Sequence, residues 1–331
     1  MEQDNESKPS LGLMALGALR HQVVSITIVM LLLWVILWWM SPYFLTVNNI
    51  LEITLQASVT AIMAAGVSFV IYAGMIDLSV GSIFAMAAVG GGLAYHWTAK
   101  AEFGTGASVL ASLAVTIAIG AAAGILNGLG IVVFRIPAFV VTLGMMGIAR
   151  GIGFIICGGV PIYGLPKAYT EIGQGKLGPI PIPTVITLIL FVAFYFVLRN
   201  TRFGRFTYAI GSNAEASRLS GIKVNFMIPM IFLICGACAA LSSIIEAARL
   251  GTMQPAGGNG YELQAIGSVF IGGASISGGE GHIFGTLIGA LLVTTIRNGL
   301  NIYGVSAFWQ LVANGLIIIF AVAADQIRKR R

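Results

Sequence analysis

The chain has 331 residues, of which 57% are hydrophobic and only 9% are charged, and its formal net charge is +6. A soluble domain carries about 25% charged residues, so this composition excludes a soluble globular protein. The apolar runs do not alternate with polar residues, which excludes a bacterial-type β-barrel. The sequence therefore predicts an all-α, polytopic membrane helix bundle. At about 20 residues for each spanning helix, there is room for about ten transmembrane helices.

The apolar runs define the expected spans in chain order. They cover approximately 23–40, 51–73, 83–96, 109–134, 138–157, 184–198, 226–246, 263–271, 282–300 and 308–324. Glycine-rich stretches at 74–82 and 271–281 precede two of these spans and predict broken helices. The loop 158–183 contains five prolines, so we expect no spanning helix there. GAAAGILNG (120–128) and GHIFGTLIG (281–289) are small-residue motifs that predict close helix packing.

The distribution of basic residues predicts the orientation. A polar, basic segment at 199–225 separates two apolar spans. Placing this segment in the cytoplasm, with about ten spans, puts most Lys and Arg on that side, as the positive-inside rule requires. The 1–22 tail and the basic 326–331 tail then both lie in the cytoplasm, on either side of a single transmembrane domain at 23–325. This bias accounts for the positive charge, so we expect no nucleic-acid partner.

The basic segment contains the clearest local signal in the chain. Asn213 is a suitable N-cap for a short helix over 214–219, and Ser220-Gly221 is a suitable end. Glu215 and Arg218 are three residues apart and would be neighbours on that helix. A short, rigid cytoplasmic helix between two spans suits docking into a groove of a soluble partner. The alternative is an ordinary positively charged loop.

Five motifs, in order, cover most of the chain. They are IDLSVGS (76–82), IPAFVVTLGMM (136–146), TRFGRFTYAIGSNAEASRLSGI (201–222), QPAGGNGYELQAI (254–266) and GGASISGGEGHIFGTLIGA (272–290). Through them the sequence resembles the ribose-type monosaccharide permeases, which are membrane subunits of bacterial ABC importers. The resemblance implies a multi-pass protein of the bacterial inner membrane that passes on a monosaccharide and is not itself an enzyme.

The resemblance also implies partners and a role for the short helix. The segment Gly211–Gly221 corresponds to the coupling helix that inserts into the ATPase subunit. The residues assigned to that contact are Gly211, Asn213, Glu215, Ala216, Arg218, Leu219 and Gly221. The implied partners are an ABC ATPase subunit that binds Mg-ATP, a periplasmic sugar-binding protein, membrane lipid and a second permease copy, which makes a homodimer or a heterodimer.

The sequence contains no motor or catalytic centre of its own. No G-x-x-x-x-G-K-[ST] phosphate loop occurs, which is consistent with ATP hydrolysis in another chain. His21, His96 and His282 do not have metal-ligand spacing, so we expect no metal, no cofactor and no catalytic residue in this chain. The alternative function is an ion-coupled secondary transporter. It would need carboxylates at membrane depth, and Asp77 is the main candidate.

Polar residues within the spans are candidates for a translocation path or gate. They are Asp77, Ser79, Asn127, Asn298 and Asn301. Sugar hydroxyls need such donors and acceptors, but intramembrane Asn and Ser also serve as contacts between helices. Asp77 has two interpretations: its carboxylate could cap the following helix by accepting backbone N–H groups, or it could line the path.

The second polar link, after the seventh span, is the candidate outer mouth or docking surface for the binding protein. The residues concerned are Glu246, Arg249, Gln254, Asn259 and Glu262. Arg249 follows Glu246 by three residues and could pair with it. The alternative is a solvated loop with an internal ion pair.

Overall fold

The computed structural model describes residues 11–306, 308–313, 315, 316, 319 and 323, with side chains described from Val23 onward. The regular secondary structure of this part is helical, apart from one two-stranded hairpin and an isolated antiparallel bridge between Ile162 and Met253. Its elements are α1 (Leu11–Met40), α2 (Val47–Tyr72), α3 (Val80–Lys100), α4 (Thr105–Phe134), α5 (Ala138–Ile156), α6 (Lys167–Gln174), β1 (Lys176–Leu177), β2 (Ile180–Pro181), α7 (Ile182–Asn200), α8 (Arg202–Ser212), α9 (Ala214–Leu219), α10 (Val224–Leu250), α11 (Tyr261–Ile271) and α12 (Ile283–Ile302).

Seven helical stretches within the described residues are long and apolar enough to cross a membrane. They are Val23–Met40 within α1 and the whole of α2, α4, α5, α7, α10 and α12. These spans confirm a polytopic helical membrane protein. The tenth expected span, 308–324, is described only in part, and the tails at 1–10 and 326–331 lie outside the described residues. The count of ten stays a prediction.

Two expected spans differ from a simple crossing. The third is α3, a 21-residue helix in which Gly90, Gly91 and Gly92 lower the hydropathy. The eighth is α11, which has only 11 residues and is about 17 Å long, or about half of the hydrocarbon core. It ends because two glycines follow, and Gly273 adopts a φ of +92°.

The chain between α5 and α7 contains small elements that the sequence analysis did not predict. The eight-residue helix α6 is followed by a hairpin in which Lys176 pairs with Pro181 and Leu177 with Ile180. Neither element approaches the length of a span, so the expected absence of a spanning helix between 158 and 183 holds.

The centre of the bundle is formed by α2 and α10, and α4 packs directly on α10. An added Cβ at Gly124 would overlap the carbonyl oxygen of Phe232, and one at Gly236 would overlap the carbonyl oxygen of Gly120. The small-residue motif at 120–128 is therefore a close helix contact, as predicted. The motif at 281–289 is a second such contact, because Gly289 faces the Ser268 carbonyl of α11 and Gly285 faces the backbone of Gly272 at the end of that helix.

The outer helices expose large apolar side chains. Trp39 of α1 is 87% exposed, and Ile155 of α5 is 78% exposed. In a membrane protein such surfaces face lipid or another membrane subunit. Helix α1 packs on α12, where the Trp34 indole donates a hydrogen bond of 3.2 Å to Thr295 Oγ1 and the Leu37 side chain lies over Gly299.

Two non-helical breaks lie inside the bundle, at 73–79 between α2 and α3 and at 272–282 between α11 and α12. Their backbone groups find partners within the protein. Met75 N–H donates to Val70 O at 3.0 Å, and Gly279 N–H donates to Tyr72 O at 2.9 Å. Non-helical backbone at membrane depth requires such bonds. The last bond also ties the 272–282 break to Tyr72, the last residue of α2, after which the other break begins.

Candidate coupling segment and polar sites

The basic segment between α7 and α10 folds into two helices, α8 and α9. The sequence analysis predicted α9 but not α8. Thr201 caps α8 by accepting a hydrogen bond of 3.2 Å from Gly204 N–H, and the buried face of α8 includes Thr207 and Ile210. A Thr cap followed by Phe203, Phe206 and Ile210 was the signal that could have revealed α8.

Helix α9 has the predicted cap-to-glycine form. Asn213 Oδ1 accepts the N–H of Ala216 at 2.9 Å. At the other end, Gly221 has a φ of +85°, and Ile222 N–H donates to Ser217 O at 3.1 Å, which is the Schellman arrangement. Both ends of this six-residue helix are therefore fixed by local hydrogen bonds. The sequence prediction of its structure is confirmed.

The side chains of α9 point mainly into solvent. Glu215 Oε2 and Arg218 Nη1 are 2.8 Å apart, so the predicted pair forms. Leu219 is 82% exposed, although it is a large apolar residue. Of the α9 side chains, only Ser217 is buried. An exposed apolar tip beside an ion pair is a surface suited to a protein partner.

The predicted path residues Asp77, Ser79 and Asn127 form one buried cluster. Asp77 Oδ1 accepts the Ser79 N–H at 2.8 Å and the Ser79 hydroxyl at 2.6 Å. The Asn127 amide donates to Ser79 Oγ at 2.9 Å. Because Ser79 is the N-cap residue of α3, Asp77 fixes the start of that helix, and Asn127 ties it to α4. Asp77 thus fixes the residue before the helix, whereas the N–H groups of the first turn of α3 receive no side-chain cap.

The other two path candidates lie elsewhere. Asn298 of α12 exchanges two hydrogen bonds with Asn49 at the start of α2, at 2.9 and 3.2 Å. Asn301 accepts a bond of 2.7 Å from the Gln310 amide. These are contacts between helices or between a helix and the following segment, so the five candidates do not form a single polar site.

A charged network lies at the C-terminal end of α10. Arg249 donates to Glu246 through Nε and Nη2 at 3.0 and 3.1 Å, which confirms the predicted pair. The Tyr261 hydroxyl donates to Glu246 Oε1 at 3.2 Å, and Glu52 Oε1 lies 4.0 Å from Arg249 Nη1. The network joins α2, α10 and α11. Glu52 was not predicted, because it is distant in the sequence.

The loop between α10 and α11 is held in place by Arg150 of α5. Its Nη1 donates to the carbonyl oxygens of Pro255 and Gly257, at 3.1 and 2.7 Å. At the end of the loop, Glu262 Oε1 accepts the Gly260 N–H at 3.2 Å. An arginine within a membrane helix requires such polar partners.

The remaining outer candidates, Gln254 and Asn259, are exposed on this loop. Their side chains are available to a partner, whereas those of Glu246 and Arg249 are largely engaged with each other. Among the described residues, no group of three or more His, Cys, Asp or Glu is placed to hold a metal ion.

The fold and these sites define a class of protein: a multi-pass helical membrane protein with broken helices and a capped helix outside the bundle. Residues 49–322 match the family described as the branched-chain amino acid transport system / permease component. The chain belongs to this family. It is a multi-pass membrane permease, the transport component of a bacterial ABC importer, and not its catalytic subunit.

Several curated relatives extend over most of the chain. The ribose import permease protein RbsC of Escherichia coli strain K12 is 41% identical over 293 residues, which cover 86% of this chain and 88% of the relative. The D-allose transport system permease protein AlsC of the same strain is 39% identical over 289 residues, which cover 87% of this chain and 86% of the relative. The galactose/methyl galactoside import permease protein MglC of Escherichia coli strain K12 is 37% identical over 317 residues, which cover 92% of this chain and 94% of the relative. No solved structure matches the chain significantly.

Proposed function

We propose that this chain forms the membrane path of an importer that moves a monosaccharide inward at the expense of ATP. The sugar is delivered by a periplasmic binding protein, and a separate ATPase subunit binds and hydrolyses Mg-ATP. The names of the relatives support a monosaccharide, since they specify ribose, D-allose and galactose or methyl galactoside. Because these include pentoses and hexoses, they support the class of sugar and not one particular sugar.

The observation that carries the proposal is the geometry of α9. This helix is fixed at both ends, lies outside the bundle and presents Leu219 to solvent. It therefore has the rigidity and the apolar tip that a groove in a soluble partner requires. The proposed contact residues are Gly211, Asn213, Glu215, Ala216, Arg218, Leu219 and Gly221.

The direction of coupling follows from the proposed topology. With 199–225 in the cytoplasm, α9 meets an ATPase on the side where ATP is available. Closure of two ATPase domains on ATP would push the α9 helices of two permease copies and rock the copies against each other. The sugar would pass between them. The second copy is either identical to this chain or a related permease.

The outer network and loop are the proposed contact with the binding protein. Glu246, Arg249, Gln254, Asn259 and Glu262 lie at or next to the α10–α11 link. The exposed Gln254 and Asn259 provide polar contacts, and the network holds the loop ends. Charged rims of this kind guide association and fix its orientation.

The proposed role of Asp77, Ser79 and Asn127 is to keep the break between α2 and α3 in one shape beside the path. Their hydrogen bonds link the residues before α3 to α4. Asn298 and Asn301 are proposed to position α12 through Asn49 and Gln310.

The test uses proteoliposomes that contain this chain and its ATPase subunit, with the sugar-loaded binding protein outside. We expect the loaded binding protein to stimulate ATP hydrolysis and sugar uptake. Arg218→Glu should abolish stimulated uptake, whereas Lys176→Glu, an equal charge reversal on the exposed hairpin, should not. Uptake that continues without ATP but stops when the ion gradient is dissipated would instead favour the secondary transporter.

A further inference from the structure

We propose that the end of α8 transmits the movement of α9 to both breaks through a contact made almost entirely of backbone. We call this contact the glycine junction and define it by Gly74, Gly211 and 278–281, together with Tyr72 and Tyr208. The inference rests on the proposed coupling function. It adds the residues that carry the displacement into the membrane domain.

Gly211 brings α8 against the end of α2 without an intervening side chain. A Cβ added there would overlap the carbonyl oxygen of Tyr72 and lie 2.5 Å from the nitrogen of Gly279. Those two atoms are themselves joined by the hydrogen bond that ties the 272–282 break to the end of α2, at 2.9 Å. Gly211 lies within α8 and is not among the glycines with positive φ, so the requirement there is for space and not for an unusual backbone conformation.

The second break reaches the same point from the other side. A Cβ added at Gly278 would lie 2.6 Å from Gly74 Cα and 3.0 Å from Gly211 Cα. The backbones of α8, the 73–79 break and the 272–282 break are therefore in van der Waals contact with one another. Contacts between backbones cannot be relieved by a change of side-chain rotamer, so a shift of α8 must move its neighbours.

Two tyrosines attach α8 to these backbones on a second side. The rings of Tyr72 and Tyr208 are stacked, with centroids 5.2 Å apart and planes 18° apart. The Tyr208 hydroxyl donates to Gly281 O at 3.1 Å, and the Tyr72 ring occupies the space that a Cβ on Gly281 would need. Helix α8 is thus held in both directions, which lets it pull as well as push the 272–282 break.

The junction explains how a small cytoplasmic helix can act on two distant segments together. One break leads into α3 through Asp77 and Ser79, and the other leads into α12. Because the two breaks share one contact with α8, both move when α8 moves. Separate contacts would allow one break to move without the other. Physical continuity alone does not establish coupling, so the proposal requires a measurement of coupling.

The experiment measures hydrogen exchange in the complete transporter, reconstituted in lipid nanodiscs with its ATPase subunit. Peptides covering 272–282 are followed with and without a non-hydrolysable ATP analogue. In the wild type we expect the analogue to change exchange in these peptides. In Gly211→Ala we expect this difference to disappear and sugar uptake to fall about tenfold, because an added methyl without space displaces α8. Because Gly211 is also one of the proposed ATPase contacts, binding of the ATPase subunit is measured in the same preparations, and Tyr208→Phe, which lies outside those contacts, must reduce the nucleotide-dependent difference as well.

The matched control is Gly106→Ala, where no atom lies within 4 Å of the added Cβ. It should behave as the wild type. Should Gly211→Ala fail to assemble, Tyr208→Phe keeps the ring and removes only the bond to Gly281, and it should reduce the nucleotide-dependent difference. The inference is overturned when wild-type uptake proceeds with no nucleotide-dependent change at 272–282, or when the assembled variant keeps the full difference. Loss of ATP-driven uptake in the wild type would refute the proposed function instead.

Discussion

Replacement of Asp77 separates a structural role of this carboxyl from a role in moving charge. Asp77 Oδ1 accepts two hydrogen bonds from Ser79, and the side chain is fully buried. Asp77→Ala leaves two buried donors without an acceptor, at a cost of about 1–3 kcal/mol each. We therefore expect Asp77→Ala to lower the free energy of unfolding by about 2–6 kcal/mol.

Asp77→Asn is the matched variant, because its carbonyl oxygen can accept the same two bonds. Neutral hydrogen bonds are roughly half as strong as charge-assisted ones, so we expect about half of the alanine effect or less. The assay is SDS titration of the purified chain in detergent, followed by circular dichroism.

Uptake by the two variants completes the test. If Asp77 acts only by fixing the start of α3, Asp77→Asn retains most of the sugar uptake per amount of variant protein in the membrane. Equal destabilisation by Asn and Ala, or no destabilisation by Ala, would refute the hydrogen-bond reasoning. Complete loss of uptake in a stably folded Asp77→Asn would show that the charge itself is required.

Three further predictions concern packing and the outer face. Gly124→Ala should lower the free energy of unfolding by about 1–3 kcal/mol, because the added methyl overlaps the backbone of α10. Gly144→Ala is the control, because the space around Gly144 is open, and it should not lower this free energy. Equal effects of the two variants would contradict the packing argument. Arg150→Met should increase the rate at which proteinase K cleaves the 251–260 loop about tenfold, because two carbonyl oxygens of the loop lose their hydrogen-bond donor. An unchanged cleavage rate would contradict this reasoning. Arg249→Gln should reduce stimulation of ATP hydrolysis by the loaded binding protein while leaving basal hydrolysis unchanged; a fall in both activities would place the defect elsewhere.

Local signals allowed parts of the coupling segment to be predicted. Helix α9 is fixed by Asn213, by the Glu215–Arg218 pair and by Gly221, all within nine residues of sequence. Each of these interactions depends on short spacing and can be seen without a fold. Helix α8 was missed although Thr201 is a suitable cap and its apolar residues have helical spacing, because no composition change marks its ends within the basic segment.

Long-range contacts account for what the sequence could not provide at the polar sites. The Glu246–Arg249 pair was predicted from its spacing of three, but Glu52 joins it from α2. Asn298 was a path candidate because it is polar at depth, and its partner Asn49 is 249 residues away in the sequence. The bonds of Asp77 to Ser79 are local and hold the residue before α3, whereas the contribution of Asn127 from α4 required the fold.

Helix α1 is synthesised long before the surface on which it packs. Helix α1 packs on α12, through Trp34 to Thr295 and Leu37 to Gly299, and α12 emerges from the ribosome after most of the protein. Until then α1 must remain in the bilayer unaided, and Val23–Met40 is the most hydrophobic of the seven spans. Its hydrophobicity therefore serves membrane insertion during translation, when no tertiary contact is available to retain it.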